Sequence, residues 1–78
     1  MKEIRIPNLD QDSNNIVVVS INFSEGDKVE SNEVLYEIEA SKVVIEVESP
    51  VSGTIKKVYL EKGDEVKPGD LLMEIEEK

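Results

Sequence analysis

The chain contains no cysteine, no histidine and no tryptophan. The first two absences exclude disulfides, thiol nucleophiles, thiolate metal sites and imidazole acid–base chemistry. Cationic residues are also scarce, with 9 Lys and Arg against 18 Asp and Glu. That balance argues against binding a nucleic-acid backbone, which needs a cationic surface to displace counterions. It argues equally against adhesion to anionic membranes, and it suits steering toward a basic partner. The longest apolar run is Ile16 to Val19, far too short to span a bilayer. The opening MKEIRIPN lacks the apolar stretch that follows the basic end of a signal peptide. A soluble, cytoplasmic protein is therefore expected, without nucleic-acid or membrane partners. The 78 residues suffice for one domain, 1–78, with a modest core and no room for a deep substrate cleft.

What is present is strand-like. No window shows the helical spacing of apolar residues; short alternating runs are separated by turn signals. Ile4 and Ile6 alternate with Glu3 and Arg5, and Val17, Val19, Ile21 and Phe23 form a second series. Val34, Tyr36 and Ile38 alternate with Leu35, Glu37 and Glu39. In the same way Val43, Ile45 and Val47 alternate with Val44, Glu46 and Glu48, and Leu71, Met73 and Ile75 with Leu72, Glu74 and Glu76. Around Ile55 the alternation is imperfect, as a bulge after Gly53 would make it.

The two halves resemble each other. INFSEGDKVESNEVLYEIE (21–39) aligns without gaps on VYLEKGDEVKPGDLLMEIE (58–76), an offset of 37. Pro68-Gly69 suits the centre of a type II turn, and its counterpart Ser31-Asn32 ends in a residue that tolerates positive φ. Two matching half-domains of antiparallel strands, neither able to bury its apolar face alone, predict an all-β flattened barrel or sandwich of two sheets with pseudo-two-fold symmetry. The stretch EIEASKVVIEVE (37–48) then reads as a tight hairpin with Lys42 at its tip. Advancing Ala40-Ser41-Lys42 by 37 positions lands on Glu77, Lys78 and the chain end, so the tip and the termini occupy equivalent places at opposite ends.

An exposed ammonium at such a tip is no activated base, but it is an accessible primary amine that a modifying enzyme could acylate. Solvated surface charge explains Lys2, Lys28, Lys56, Lys57, Lys62, Lys67 and Lys78, and from the residues alone it remains the commoner explanation for Lys42 as well. The glutamates alternate with apolar residues and project outward, unlike the facing pair that glycoside hydrolysis needs. Asp10 to Asn15 offers oxygens, but without the ligand spacing and glycine of an EF-hand loop. No catalytic residue and no metal ligand is expected.

At Lys42 the chain resembles a known family. EIEASKVVIEVESPVSGTI (37–55), preceded by EGDKVESNEVL and followed by KGDEVKPGDLL, is similar to biotinyl/lipoyl attachment domains over essentially the whole chain. The family's Gly-Asp-x-Val turns fall on Gly26-Asp27 and Gly63-Asp64, its modified lysine on Lys42 and its downstream glycine on Gly53. The tip reads Ala40-Ser41-Lys42-Val43, without the usual lipoyl aspartate or the biotinyl methionines, although Ala40 matches the biotinyl pattern. The flank from Lys42 to Val47, followed by Ser49-Pro50, resembles lipoyl domains of 2-oxo acid dehydrogenase acyltransferase subunits. The resemblance implies a non-catalytic carrier with lipoic acid in amide linkage to Lys42. Its partners would be a lipoate-attaching enzyme, a thiamine-diphosphate-dependent 2-oxo acid dehydrogenase, an acyltransferase and a dihydrolipoyl dehydrogenase. Gly26, Gly53 and Gly63 would serve backbone conformation, and the polar loop after Pro7 would contact partners. Biotin on the same lysine, in a carboxylase or decarboxylase, is the alternative; an unmodified assembly domain of the same fold is another.

Overall fold

A computed structural model describes residues 1–8 and 16–78. The polar segment considered for calcium and for partner contacts lies outside the described residues for nearly all its length. Eight strands are present: β1 (Lys2–Arg5), β2 (Ile16–Ile21), β3 (Lys28–Val29), β4 (Val34–Ala40), β5 (Val43–Glu48), β6 (Gly53–Val58), β7 (Glu65–Val66) and β8 (Leu71–Glu77). No helix occurs among the described residues. The strands form two four-stranded antiparallel sheets, ordered β5-β4-β2-β7 and β1-β8-β6-β3. These are called below the tip sheet and the far sheet. Exchanging β5 for β1, β4 for β8, β2 for β6 and β7 for β3 turns one order into the other, which is the pseudo-two-fold expected from the repeat.

The symmetry reaches single hydrogen bonds. Gly26 N–H donates to Ile55 O at 2.8 Å and Gly63 N–H donates to Val18 O at 2.8 Å, each acceptor displaced by the same 37 positions. Asp27 accepts from the Ser24 amide and Asp64 from the Glu61 amide, both at 2.8 Å, tying the two glycine turns identically. Asn32 (φ 76) and Gly69 (φ 90) hold the left-handed corner of the two turns read from sequence. The Glu33 N–H to Glu30 O and Asp70 N–H to Lys67 O bonds close those turns at 3.1 and 3.0 Å.

Two β-bulges, each occurring once per half, change the expected facing of several side chains. One lies at Leu35 and Leu72, where the partner strand skips a residue: Val34 pairs with Glu48 and Tyr36 with Val47, while Arg5 pairs with Leu71 and Ile4 with Met73. Leu35 and Leu72, expected to face outward, are therefore fully buried beside Tyr36 and Met73. The other lies at Val19 and at Lys56, three residues beyond Gly53. It reverses the phase within a strand. Ile16 and Val18, rather than Val17 and Val19, face the core ahead of the bulge, whereas Ile21 and Phe23 pack against the core after it. Val58 and Leu60 repeat this beyond Ile55.

The core between the sheets is aliphatic apart from Tyr36 and Met73, and it includes Ile4, Ile6, Ile16, Val18, Ile38, Ile55 and Ile75. The Tyr36 hydroxyl donates to Arg5 O at 3.3 Å and so links β4 of one sheet to β1 of the other. Burial pushes its phenol up to about 12, because the phenolate would lose its water. Ser49 is the one buried polar side chain among the described residues, and it is satisfied by donating to Val51 O at 2.6 Å.

Candidate functional site

The β4–β5 hairpin closes on two residues, with Ala40 paired to Val43 across the turn. Ser41 and Lys42 both have positive φ, 51° and 68°, the pattern of a type I′ turn. Such turns favour Asn-Gly because each L side chain in the left-handed region costs about 1 kcal/mol. Here the right-handed twist of two paired strands holds two unsuited residues in that conformation. The sequence signalled a tight bend, but neither residue announced the left-handed pair.

Lys42 sits at the apex and is exposed. No carboxylate among the described residues lies within ion-pair distance of its Nζ; the pairs present are Arg5 with Glu3 and Lys56 with Glu76. Beneath the turn, Ala40 is buried and ends the core. Val43 and Val44, expected to alternate inward and outward, are both about half exposed, at 53% and 52%. The core has run out at this end, so the inward position of Val43 faces solvent too.

The opposite end carries the start of β1 and the end of β8. Lys78 N–H donates to Ser52 O at 3.0 Å, and nearby Ser49 N–H donates to Glu33 O at 2.8 Å at the foot of β4. From there β4 runs seven residues to Ala40. At the usual rise of a strand this places the lysine about 20 Å from the end where β1 starts and β8 stops. The molecule is elongated to match, 35 Å by 19 Å by 17 Å. In the tip sheet two adjacent strands are joined by Ser41-Lys42; in the far sheet their equivalents, β8 and β1, are not joined by a hairpin.

Of the three glycines assigned to backbone roles, Gly26 and Gly63 adopt φ +94°. Gly53 does not; it is required by close approach. A Cβ there would run into the Glu76 carbonyl, 2.9 Å from its carbon. None of the three adjoins the hairpin tip.

A pseudo-symmetric pair of short antiparallel sheets with one lysine on an exposed two-residue hairpin defines a carrier-domain architecture: a rigid mount for a side-chain amine. The profile of a family described as biotin-requiring enzymes, covering biotin and lipoyl attachment, matches residues 2–75. The chain belongs to the biotinyl/lipoyl attachment domain family. It is 34% identical over 74 residues to the dihydrolipoyllysine-residue acetyltransferase component of the pyruvate dehydrogenase complex of Staphylococcus aureus. It is 32% identical over the same length to the corresponding protein of Staphylococcus epidermidis. Each match covers 95% of this chain and 17% of the relative, so the chain spans about a sixth of their length. Among solved structures it is similar to the lipoyl domain of the 2-oxoglutarate dehydrogenase complex from Azotobacter vinelandii, with TM-score 0.84 and 28% identity. That match covers 99% of this chain and 98% of the other. The two-sheet fold and the likeness to lipoyl carrier domains agree with what the sequence implied.

Proposed function

We propose that residues 1–78 form one lipoyl carrier domain and that Lys42 is the attachment point, with lipoic acid in amide linkage to its Nζ. The observation that carries this is the placement of a primary amine at the apex of the β4–β5 hairpin, at the end of the domain opposite the start of β1 and the end of β8. The amine is exposed and free of ion pairs among the described residues, which fits an amide-linked arm. When attached, lipoic acid supplies a dithiolane that accepts an acyl group together with two electrons and surrenders each at a different active site.

The chain's own residues supply presentation. The type I′ turn holds the Lys42 backbone rigidly, so flexibility is confined to the side chain and the arm upon it. The separation of about 20 Å along β4 leaves the tip clear of whatever adjoins the start of β1 and the end of β8. Tethering replaces free diffusion by a high local concentration at each partner. The partners fitting this role are a lipoate-attaching enzyme, a thiamine-diphosphate-dependent 2-oxo acid dehydrogenase, an acyltransferase and a dihydrolipoyl dehydrogenase. In this reading the chain contributes no catalytic group of its own, and a cytoplasmic location suits it.

Ala40 keeps biotin as the second reading, since it matches the biotinyl tip. Intact mass after separate incubation with a lipoate ligase plus lipoic acid and with a biotin ligase plus biotin separates the two. A single lipoyl adduct is expected, absent from Lys42→Arg. A biotin adduct instead would reassign the domain to carboxyl transfer, and no adduct with either ligase would leave an assembly domain.

A further inference from the structure

Each sheet ends in two edge strands, and β5 differs from the other three. β3 and β7 are two residues long, and β1 has four residues that include Lys2 and Arg5. β5 has six residues, VVIEVE, with no Lys, Arg or Pro, and among the described residues it pairs with β4 alone. Shortness, basic charge and proline keep sheet edges from pairing with other chains, and β5 has none of these. Ala40 and Val43 flank a two-residue turn, which directs the N–H and C=O of Val43 and Ile45 toward β4. Those of Val44 and Glu46 then point out of the sheet, to the open edge. Val43 and Val44 are half exposed along this edge, and Ile45 and Val47 are only partly buried.

Charge selects what can pair there. The strands of the tip sheet carry Glu37, Glu39, Glu46, Glu48 and Glu65 and no Lys or Arg. One row of its outer face reads Val44, Glu39, Val17, Glu65, without a cation. At the positions equivalent to Ser20 and Glu65 the far sheet has Lys57 and Lys28. The cation that adjoins β5 is Lys42, one residue before the strand.

An antiparallel second copy of β5 centred on Ile45 uses all of these features. On the inner face Ile45 meets its own copy and Val43 meets Val47, extending the apolar row. On the outer face Val44 meets Glu46, and Lys42 comes level with Glu48 of the second copy, each contact occurring twice by symmetry. The Val44–Glu46 pairs are the ones whose backbone groups point outward, so they close hydrogen bonds across the two-fold axis. Centring on Glu46 sets that carboxylate against itself. Centring on Val44 leaves Val47 and Glu48 beyond the turn of the second copy. A centre between residues lays the inner face of one copy against the outer face of the other.

We propose that β5 is a self-association edge, through which two copies with unmodified Lys42 pair antiparallel about Ile45, Glu48 of each neutralising Lys42 of the other. Amide formation at Nζ removes both cations. Glu46 and Glu48 of the two copies are then left without a counter-charge, and the modified chains separate. Only this release step rests on the carrier reading. The edge thereby distinguishes a bare domain from a loaded one. A net charge of −9 on each copy and a small contact keep the association weak.

The test is sedimentation equilibrium of the unmodified chain, for which a dissociation constant of about 1 mM is expected, followed up to about 2 mM protein. Lys42→Glu and Glu48→Lys should each weaken association about tenfold or more. The double variant Lys42→Glu/Glu48→Lys, with the native net charge, should return to within about threefold of native. Val44→Pro removes an N–H that only the open edge uses, so it should abolish association while its thermal melt still reports a folded domain. The chain loaded by a lipoate ligase, verified by intact mass, should be monomeric throughout. A native chain that stays monomeric, a double variant no tighter than the single ones, or a loaded chain that associates like the bare one overturns the proposal and leaves the carrier reading intact. A native chain that associates but takes no lipoyl adduct overturns the carrier reading, and the release step with it, while upholding the pairing.

Discussion

The tip sheet and the far sheet arise from two copies of one strand plan, and they differ at the positions where each meets something else. Strand order, bulges and turn bonds coincide, down to the aspartates that close the glycine turns. Where β4 and β5 are joined by Ser41-Lys42, no hairpin joins β8 and β1. Where Ile16 fills the core of one sheet, its equivalent Gly53 admits the backbone of β8 in the other. Where Lys28 and Lys57 balance the far sheet, Glu65 and Ser20 leave the tip sheet acidic. Packing holds most interior positions of both halves alike, because both face one core, with Ile16 against Gly53 and Tyr36 against Met73 as interior exceptions. The outer faces are released from that constraint, and there the charges have diverged.

Substitutions that exchange features between equivalent positions test how far the two sheets are interchangeable. The largest effect is expected from Gly53→Ala. Its Cβ has nowhere to go but into the Glu76 backbone, so β6 and β8 must separate locally. A loss of about 3 kcal/mol or more is expected in urea unfolding. An unchanged midpoint would show that the far sheet tolerates at this point what the tip sheet carries at Ile16.

Next in size is the alkaline dependence set by Tyr36, whose equivalent Met73 has no titrating group. The unfolded phenol ionises near 10.0 and the folded one near about 12. Between these values the folded state holds the proton that the unfolded state has lost, so stability falls as pH rises. Tyr36→Phe should remove roughly 2–3 kcal/mol of that decline. Parallel pH curves for the two proteins would contradict the burial of the hydroxyl.

Gly69→Ala is expected to cost about 1–2 kcal/mol through positive φ alone, since nothing lies within 4 Å of the added methyl. At the equivalent corner Asn32→Gly should be stabilising by a few tenths of a kcal/mol. Paired thermal melts decide whether the two turns are energetically equivalent. Ser20→Lys, which restores the far-sheet pattern beside Glu37 and Glu46, should have the smallest effect on stability. A gain of a few tenths of a kcal/mol is expected from chemical denaturation. If it destabilises instead, the Ser20 hydroxyl bond to Glu37 at 2.7 Å outweighs the like-charge repulsion.

Much of this was legible in the chain. The gapless offset between 21–39 and 58–76 announced the symmetry, and the turns at Ser31-Asn32 and Pro68-Gly69 fell where their residues placed them. Lys42 was expected at a hairpin apex and stands there. The facing of Leu35, Leu72, Val17, Val19 and Val43 was not legible. A bulge exists only relative to a partner strand that skips a residue, and alternation read along one strand carries no trace of it. The charge contrast between the sheets was hidden for the same reason: the strands of each sheet are interleaved along the chain, and only pairing assembles Glu39, Val44, Val17 and Glu65 into one row.

The period-two pattern, the turn corners and the lysine between two strands were set by residues near one another along the chain, and the internal repeat by a comparison of the chain with itself. The tertiary structure decided which leucines enter the core, why position 53 must be glycine and which outer face is left acidic beside the tip. Those outcomes depend on the register between strands distant in sequence, and on a core that ends before it reaches Val43.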